Sequence, residues 1–125
     1  MSSTRVSLVP FYVLNETAVA SNKTSQITDI GGCDVVQYDI VWSGGSVDFA
    51  ATIEVDVLSS FESTTVESAW LWNTLDYGGS TPTLSGASGS HNIIITANPF
   101  AKVRARVVHS AGSGDVKISI KGNGN

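Results

Sequence analysis

The chain has little of what would settle a function on sight. It holds one cysteine, Cys33, so no internal disulfide can form, and a lone thiol reads as a small buried hydrophobe. Its two histidines, His91 and His109, are too few for a three-histidine zinc site and sit at the edges of Gly/Ser loops. No G-x-S-x-G, H-E-x-x-H, Walker loop or C-x-x-C occurs. Ser, His and Asp are present without triad spacing, and Asp29, Asp34, Asp39 and Asp48 lack the spacing of a calcium loop. These absences predict no enzyme, no metal site and no cofactor. Charged residues are only 14% of 125, and the net charge is −4, which gives no general attraction to nucleic acid. No run nears the roughly 18 apolar residues of a membrane-spanning helix. The opening MSSTRVSLVPFYVLNETAVA has one Arg and a short apolar run cut by Pro10. That is too little for a secretory leader, so the sequons at Asn15 and Asn22 read as chance matches.

What the chain does have is alternation. With 42% hydrophobic residues it can build a core, and its length suits one domain. In DVVQYDIVW, Val36, Tyr38, Ile40 and Trp42 share one face. Gln37 and Asp39 fall on the other. After a Gly-rich SGGS link, VDFAATIEVDV places Val47, Phe49, Ala51, Ile53, Val55 and Val57 inward. Asp48, Thr52, Glu54 and Asp56 point outward. FAKVRARVV sets Ala101, Val103, Ala105 and Val107 against Lys102, Arg104 and Arg106. VKISIK sets Val116, Ile118 and Ile120 against Lys117, Ser119 and Lys121. These last two runs, joined by HSAGSGD, read as the clearest hairpin. RVSLV and YVLNETAVA read as strands separated by Pro10, with SQITDI a weaker one. Residues 59–69 read as a polar connection in which Ser59 and Glu62 match a capping box, and GGSTPTLSGASGS as a long loop. The sum is an all-β, single antiparallel β-sandwich, jelly-roll-like, of about seven to nine strands. Residues 1–30 are N-terminal strands or an attachment arm of the same domain, and 31–125 the sandwich body.

The aromatic residues pose a choice. SAWLWNTLDYGG holds Trp70, Trp72 and Tyr77. Trp72 is expected to cap the core with its N–H on a backbone carbonyl. Trp70 is expected to be at least partly exposed, with Leu71 open as the inward residue instead. The other reading makes Trp70, Trp72 and Tyr77 a stacking platform for sugar.

Charge is patterned too. Lys102, Arg104, Arg106, Lys117 and Lys121 are five of the seven basic residues, and a regular hairpin places them on one face. Asp39, Asp48, Glu54 and Asp56 lie on other outward faces. Either these are solvated strand surfaces, or the two sets form a complementary interface between copies of the chain or with a scaffold.

From about residue 38 to 122 the order of elements resembles small all-β virion proteins of bacteriophages, of the capsid-decoration, fibre or tail-accessory kind. The residues that carry the resemblance are a strand ending Trp42-Ser43-Gly44, a long alternating strand and the WNTL segment. A Gly-Ser-His loop, an Asn98-Pro99-Phe100 step into a basic strand and a closing Ser-Gly turn complete it. It implies a non-catalytic structural protein of the virion, assembled in the host cytoplasm. Such a protein binds a major capsid or tail protein and copies of itself, with no nucleic acid or membrane. The alternative is a carbohydrate- or receptor-binding module that meets a host surface glycan through Trp70, Trp72 and Tyr77. A fragment of a secreted adhesin is a weaker third.

Overall fold

Each alternating run folds as a strand because only an extended chain sends successive side chains to opposite faces. The computed structural model describes residues 7–59, 70–75, 82–96 and 98–124. In chain order the strands are β1 (Leu8–Val19), β2 (Lys23–Thr24), β3 (Thr28–Asp29), β4 (Val35–Ser43), β5 (Ala50–Ser59), β6 (Asn73–Thr74), β7 (Thr83–Ser85), β8 (Gly89–Ile95), β9 (Phe100–Ala111) and β10 (Gly114–Asn123). They form two antiparallel sheets. The first runs β1-β10-β4-β8. In the second, β9 and β5 are central; β2 and β3 pair with β9, and β6 and β7 pair with β5. Among the described residues there is no helix.

Both sheets feed one core. Val36, Tyr38, Ile40, Trp42, Val116, Ile118 and Ile120 come from the first; Phe49, Ile53, Val55, Val103, Ala105 and Val107 come from the second or its approach. The inward faces read from the sequence are therefore the buried faces, with two exceptions at strand ends, Val47 and Ala101. Val47 is 92% exposed, because the chain is still turning there, with the Phe49 N–H on the Ser46 carbonyl, and β5 begins only at Ala50. Ala101 is half-buried rather than interior.

The two expected hairpins are not hairpins. β4 and β5 lie in different sheets, and so do β9 and β10. At both places the chain turns a corner between sheets. Alternation alone does not separate the cases, since a hairpin and a corner both need strands with one apolar face and a tight glycine turn between them. Gly44 (φ 60°) and Gly112 (φ 63°) adopt the left-handed backbone that these corners require. At Gly112 the space is closed as well: an added Cβ would lie 2.8 Å from the Phe49 Cα.

Two further differences concern weak strands. Pro10 does not divide the N-terminal strand. β1 runs through it along the edge of its sheet, with register shifts on β10 between Leu8 and Phe11 and again beyond Tyr12. An edge tolerates the missing N–H that an interior strand does not. The stretch expected as a long Gly/Ser loop contains β7 and the start of β8. The polar connection at 60–69, with its Glu62 cap, lies outside the described residues.

Candidate interaction surfaces

The outer face of the second sheet is organised around one carboxylate. Register places Asp56 opposite Arg104 and Glu54 opposite Arg106. Asp56 Oδ2 accepts from Arg104 Nε at 2.9 Å and from Arg106 Nε at 2.7 Å. Its Oδ1 accepts from Arg106 Nη2 at 2.9 Å and from the Thr74 hydroxyl at 3.2 Å. Arg106 Nη2 also reaches Glu54 at 2.8 Å. Asp56 was expected to face solvent. It does point outward, but the two guanidinium groups and β6 roof it over, and it is 3% exposed. Burial pushes its carboxyl pKa up, but the hydrogen bonds from Arg106, Arg104 and Thr74 and the Arg106 charge outweigh this, and the net direction is down. The same hydrogen bond to Asp56, against a smaller opposing effect of burial, raises the Arg106 pKa.

The tryptophans of the WLW segment lie on top of this ladder. β6 pairs with β5 at Asp56 and Val57, so the chain just before it crosses the outer face of β9. The Arg104 guanidinium sits 4.4 Å from the Trp72 ring centroid, and Lys102 Nζ sits 5.5 Å from that of Trp70. The two indoles meet edge to face at 6.2 Å. Trp72 is thus half-buried against cations and is not a core residue. Trp70 is also half-buried, and Leu71 between them is 79% exposed instead of turned inward. Tyr77, the third member of the proposed sugar platform, lies outside the described residues. The core-capping role expected of Trp72 belongs to Trp42. Its indole Nε1 donates to the Ser85 carbonyl at 3.3 Å, and the ring lies flat enough on Gly89 that no Cβ fits there.

The five cations do not share a face. Lys102, Arg104 and Arg106 are on the second sheet; Lys117 and Lys121 are on the outer face of the first, as the sheet assignment of β9 and β10 demands. The acidic partners follow the same division. Glu54 and Asp56 serve the arginines, Asp29 lies 3.6 Å from Lys102, and Asp39 lies 3.8 Å from Lys121. Asp48 falls in the β4–β5 connection rather than on a strand.

The outer face of the first sheet carries a row of polar side chains. Tyr12, Ser119, Asp39 and Asn92 face one another in a row across its four strands. Gln37 Nε2 donates to Asp39 Oδ1 at 2.6 Å, and the Asn92 amide, oriented to donate, reaches the same oxygen at 2.7 Å. Beside the row, Pro10, Phe11, Tyr12 and Ser119 line a hollow of about 240 Å³. No sequence pattern signals this row, because Tyr12 sits on an irregular edge strand and the other residues are ordinary outward positions of three separate runs.

Both histidines fasten turns. His91 Nε2 pairs with the Thr83 carbonyl at 2.5 Å and its ring tilts on Trp42; His109 Nε2 pairs with the Gly112 carbonyl at 2.6 Å. Cys33 is buried, and burial, then the nearby Asp29 charge, push its thiol pKa up. Among the described residues no three His, Cys, Asp or Glu side chains converge as a metal-ligand set.

The sequence matches no protein-family model and no curated protein. The fold, however, has solved counterparts. The SPBc2 prophage-derived protein YomS is similar over 98% of this chain and 97% of its own, with a TM-score of 0.53 and 14% identity. A chitosan-binding module from a Paenibacillus sp. IK-5 chitosanase/glucanase aligns over 96% of this chain and 77% of its own, with a TM-score of 0.45 and 17% identity. The structure of infectious bursal disease virus Gt strain aligns over 94% of this chain and 31% of the viral chain, with a TM-score of 0.48 and 10% identity. Of these three, YomS alone reaches the level of a shared fold, and at such identity the likeness is one of fold.

Proposed function

We propose that this chain is a non-catalytic structural protein of a bacteriophage particle, an accessory or decoration module built as a jelly-roll sandwich. Its strand pairing supports the architecture. β1 pairs with β10, β2 and β3 with β9, β4 with β8, and β5 with β6 and β7. That is one long antiparallel ribbon folded over on itself. The β10–β4 and β9–β5 pairings then close the ribbon into two sheets. The full-length fold shared with a prophage-derived protein supports the phage setting, as do the sequence features held in common with small virion proteins.

The observation that carries a docking role is the WLW segment over the second sheet. Trp70, Trp72, Arg104 and Arg106 are of the residue types enriched at the centres of protein interfaces, and Leu71 adds an exposed apolar side chain between the indoles. The arginines are already fixed by Asp56 and Glu54, so little side-chain entropy remains to be lost on binding. The module docks through this face onto a capsid or tail protein, or onto copies of itself. Because these charges are neutralised within the chain, docking depends mainly on the apolar and aromatic surface and only weakly on salt. Leu71→Asp tests this. It places a charge at the centre of the exposed segment without touching the core, and it should cut incorporation into particles while the melting temperature holds. Normal incorporation of Leu71→Asp overturns the assignment of this face.

A further inference from the structure

We infer that the hollow beside Tyr12, together with the polar row that leads from it to Asp39, is a binding site for an oligosaccharide. The inference does not rest on the particle reading, and it uses the sheet opposite to the docking face. A pyranose ring presents an apolar C–H face and a rim of hydroxyls. The site presents both complements. Phe11 and Tyr12 supply aromatic surface around the 240 Å³ hollow, with Ser119 as its polar member, and Tyr12 is 59% exposed. The hollow is smaller than the roughly 300 Å³ at which pockets for drug-sized ligands begin, and so suits one ring rather than a large compact ligand. From there the row crosses to Asp39 two strands away, about 10 Å at ordinary strand spacing. That is room for a second linked sugar.

Asp39 is held ready for hydroxyl groups. Gln37 and Asn92 occupy Oδ1 and fix the carboxylate, while Oδ2 has Lys121 only at 3.8 Å, beyond hydrogen-bond length, and keeps capacity to accept. The two amides retain their carbonyl oxygens, and Gln37 one N–H, for neighbouring hydroxyls; the second Asn92 N–H goes to the His91 carbonyl at 3.2 Å. Such a fixed carboxylate–amide set orients a ligand at low entropic cost. In the next row Lys117 has no ion pair among the described residues and sits opposite Asn15 and Val41. It gives that end of the site a preference for a sugar carrying a carboxylate. The exposed apolar side chains of this sheet gather on β1 beside the hollow, at Val9, Phe11 and Tyr12, while Val41 and Ile94 stand singly on separate strands.

The test takes the full chain to a printed panel of neutral and uronate-bearing oligosaccharides, followed by calorimetry on each sugar retained. Tyr12→Ala should weaken the best of these about tenfold, the worth of one aromatic contact, with melting unchanged because the ring is exposed. Lys117→Ala should erase the preference for uronate, and Leu71→Asp should leave sugar binding intact even where it blocks docking. Retention of no sugar on the panel, or binding that Tyr12→Ala leaves at full strength, overturns the inference.

Discussion

Asp56, on the outer face of the second sheet, accepts hydrogen bonds from Arg104, Arg106 and the Thr74 hydroxyl. Parity sends it outward, and it is outward; only the third dimension reveals that two arginines and Thr74 cover it. A carboxylate whose folded pKa is depressed stabilises the protein fully at pH values above its unfolded pKa of about 3.9. That contribution is lost as pH falls through the lower folded value. Thermal stability should therefore drop through the acid range below about pH 4, and Asp56→Asn should flatten that dependence. At neutral pH the same substitution should cost about 1–3 kcal/mol, the usual range for a charge-assisted hydrogen-bond set. An acid limb unchanged in Asp56→Asn would assign it to other carboxylates. Turning Arg104 and Arg106 into glutamates would set three or more acids together beside a buried carboxylate, and the fold would not be spared. The tryptophans teach the same lesson. Sequence assigns a core-capping indole to Trp72 by its place near a strand end, while Trp42 has the better claim: it shares parity with Tyr38 and Ile40, and a small residue, Gly89, lies under it.

Among the elements, β4, β5, β9 and β10 and their buried faces were legible because their period-two pattern is strong and uninterrupted, whereas β1, with its irregular burial and register shifts, was read as two strands. Which strand pairs with which was not. β9 and β10 look like a hairpin from Phe100 to Asn123, yet β9 pairs with β5, β2 and β3, and β10 with β4 and β1. Short strands such as β6 and β7 have too few residues to show a period, and their places follow from pairing with β5. The corner turns make a sharp comparison possible. Gly112 and Gly86 both have positive φ, but an added Cβ meets Ser46, Asp48 and Phe49 at Gly112 and nothing within 4 Å at Gly86. Gly86→Ala should cost only the left-handed backbone penalty, about 1–2 kcal/mol. Gly112→Ala should cost clearly more, because overlap with the Phe49 backbone adds to that strain. Equal losses in chemical denaturation would mean that the β9–β10 corner is looser than described.

Across the molecule, the two sheets present different outer faces. One outer face is a pre-ordered aromatic and arginine surface whose charges are satisfied within the chain. The other carries a polar row with a hollow at its edge. The sequence showed which residues carry charge but not this division, because that depends on β9 and β10 belonging to different sheets. The account therefore orients the molecule: the β5–β9 face against a neighbour, the Tyr12 face outward. Electron cryomicroscopy of native particles carrying this chain tests that most directly. The account predicts density for a neighbouring protein over Leu71, Trp70 and Trp72, with the row from Tyr12 to Asn92 free of protein. A particle in which the Tyr12 face is buried and Leu71 points to solvent would contradict it.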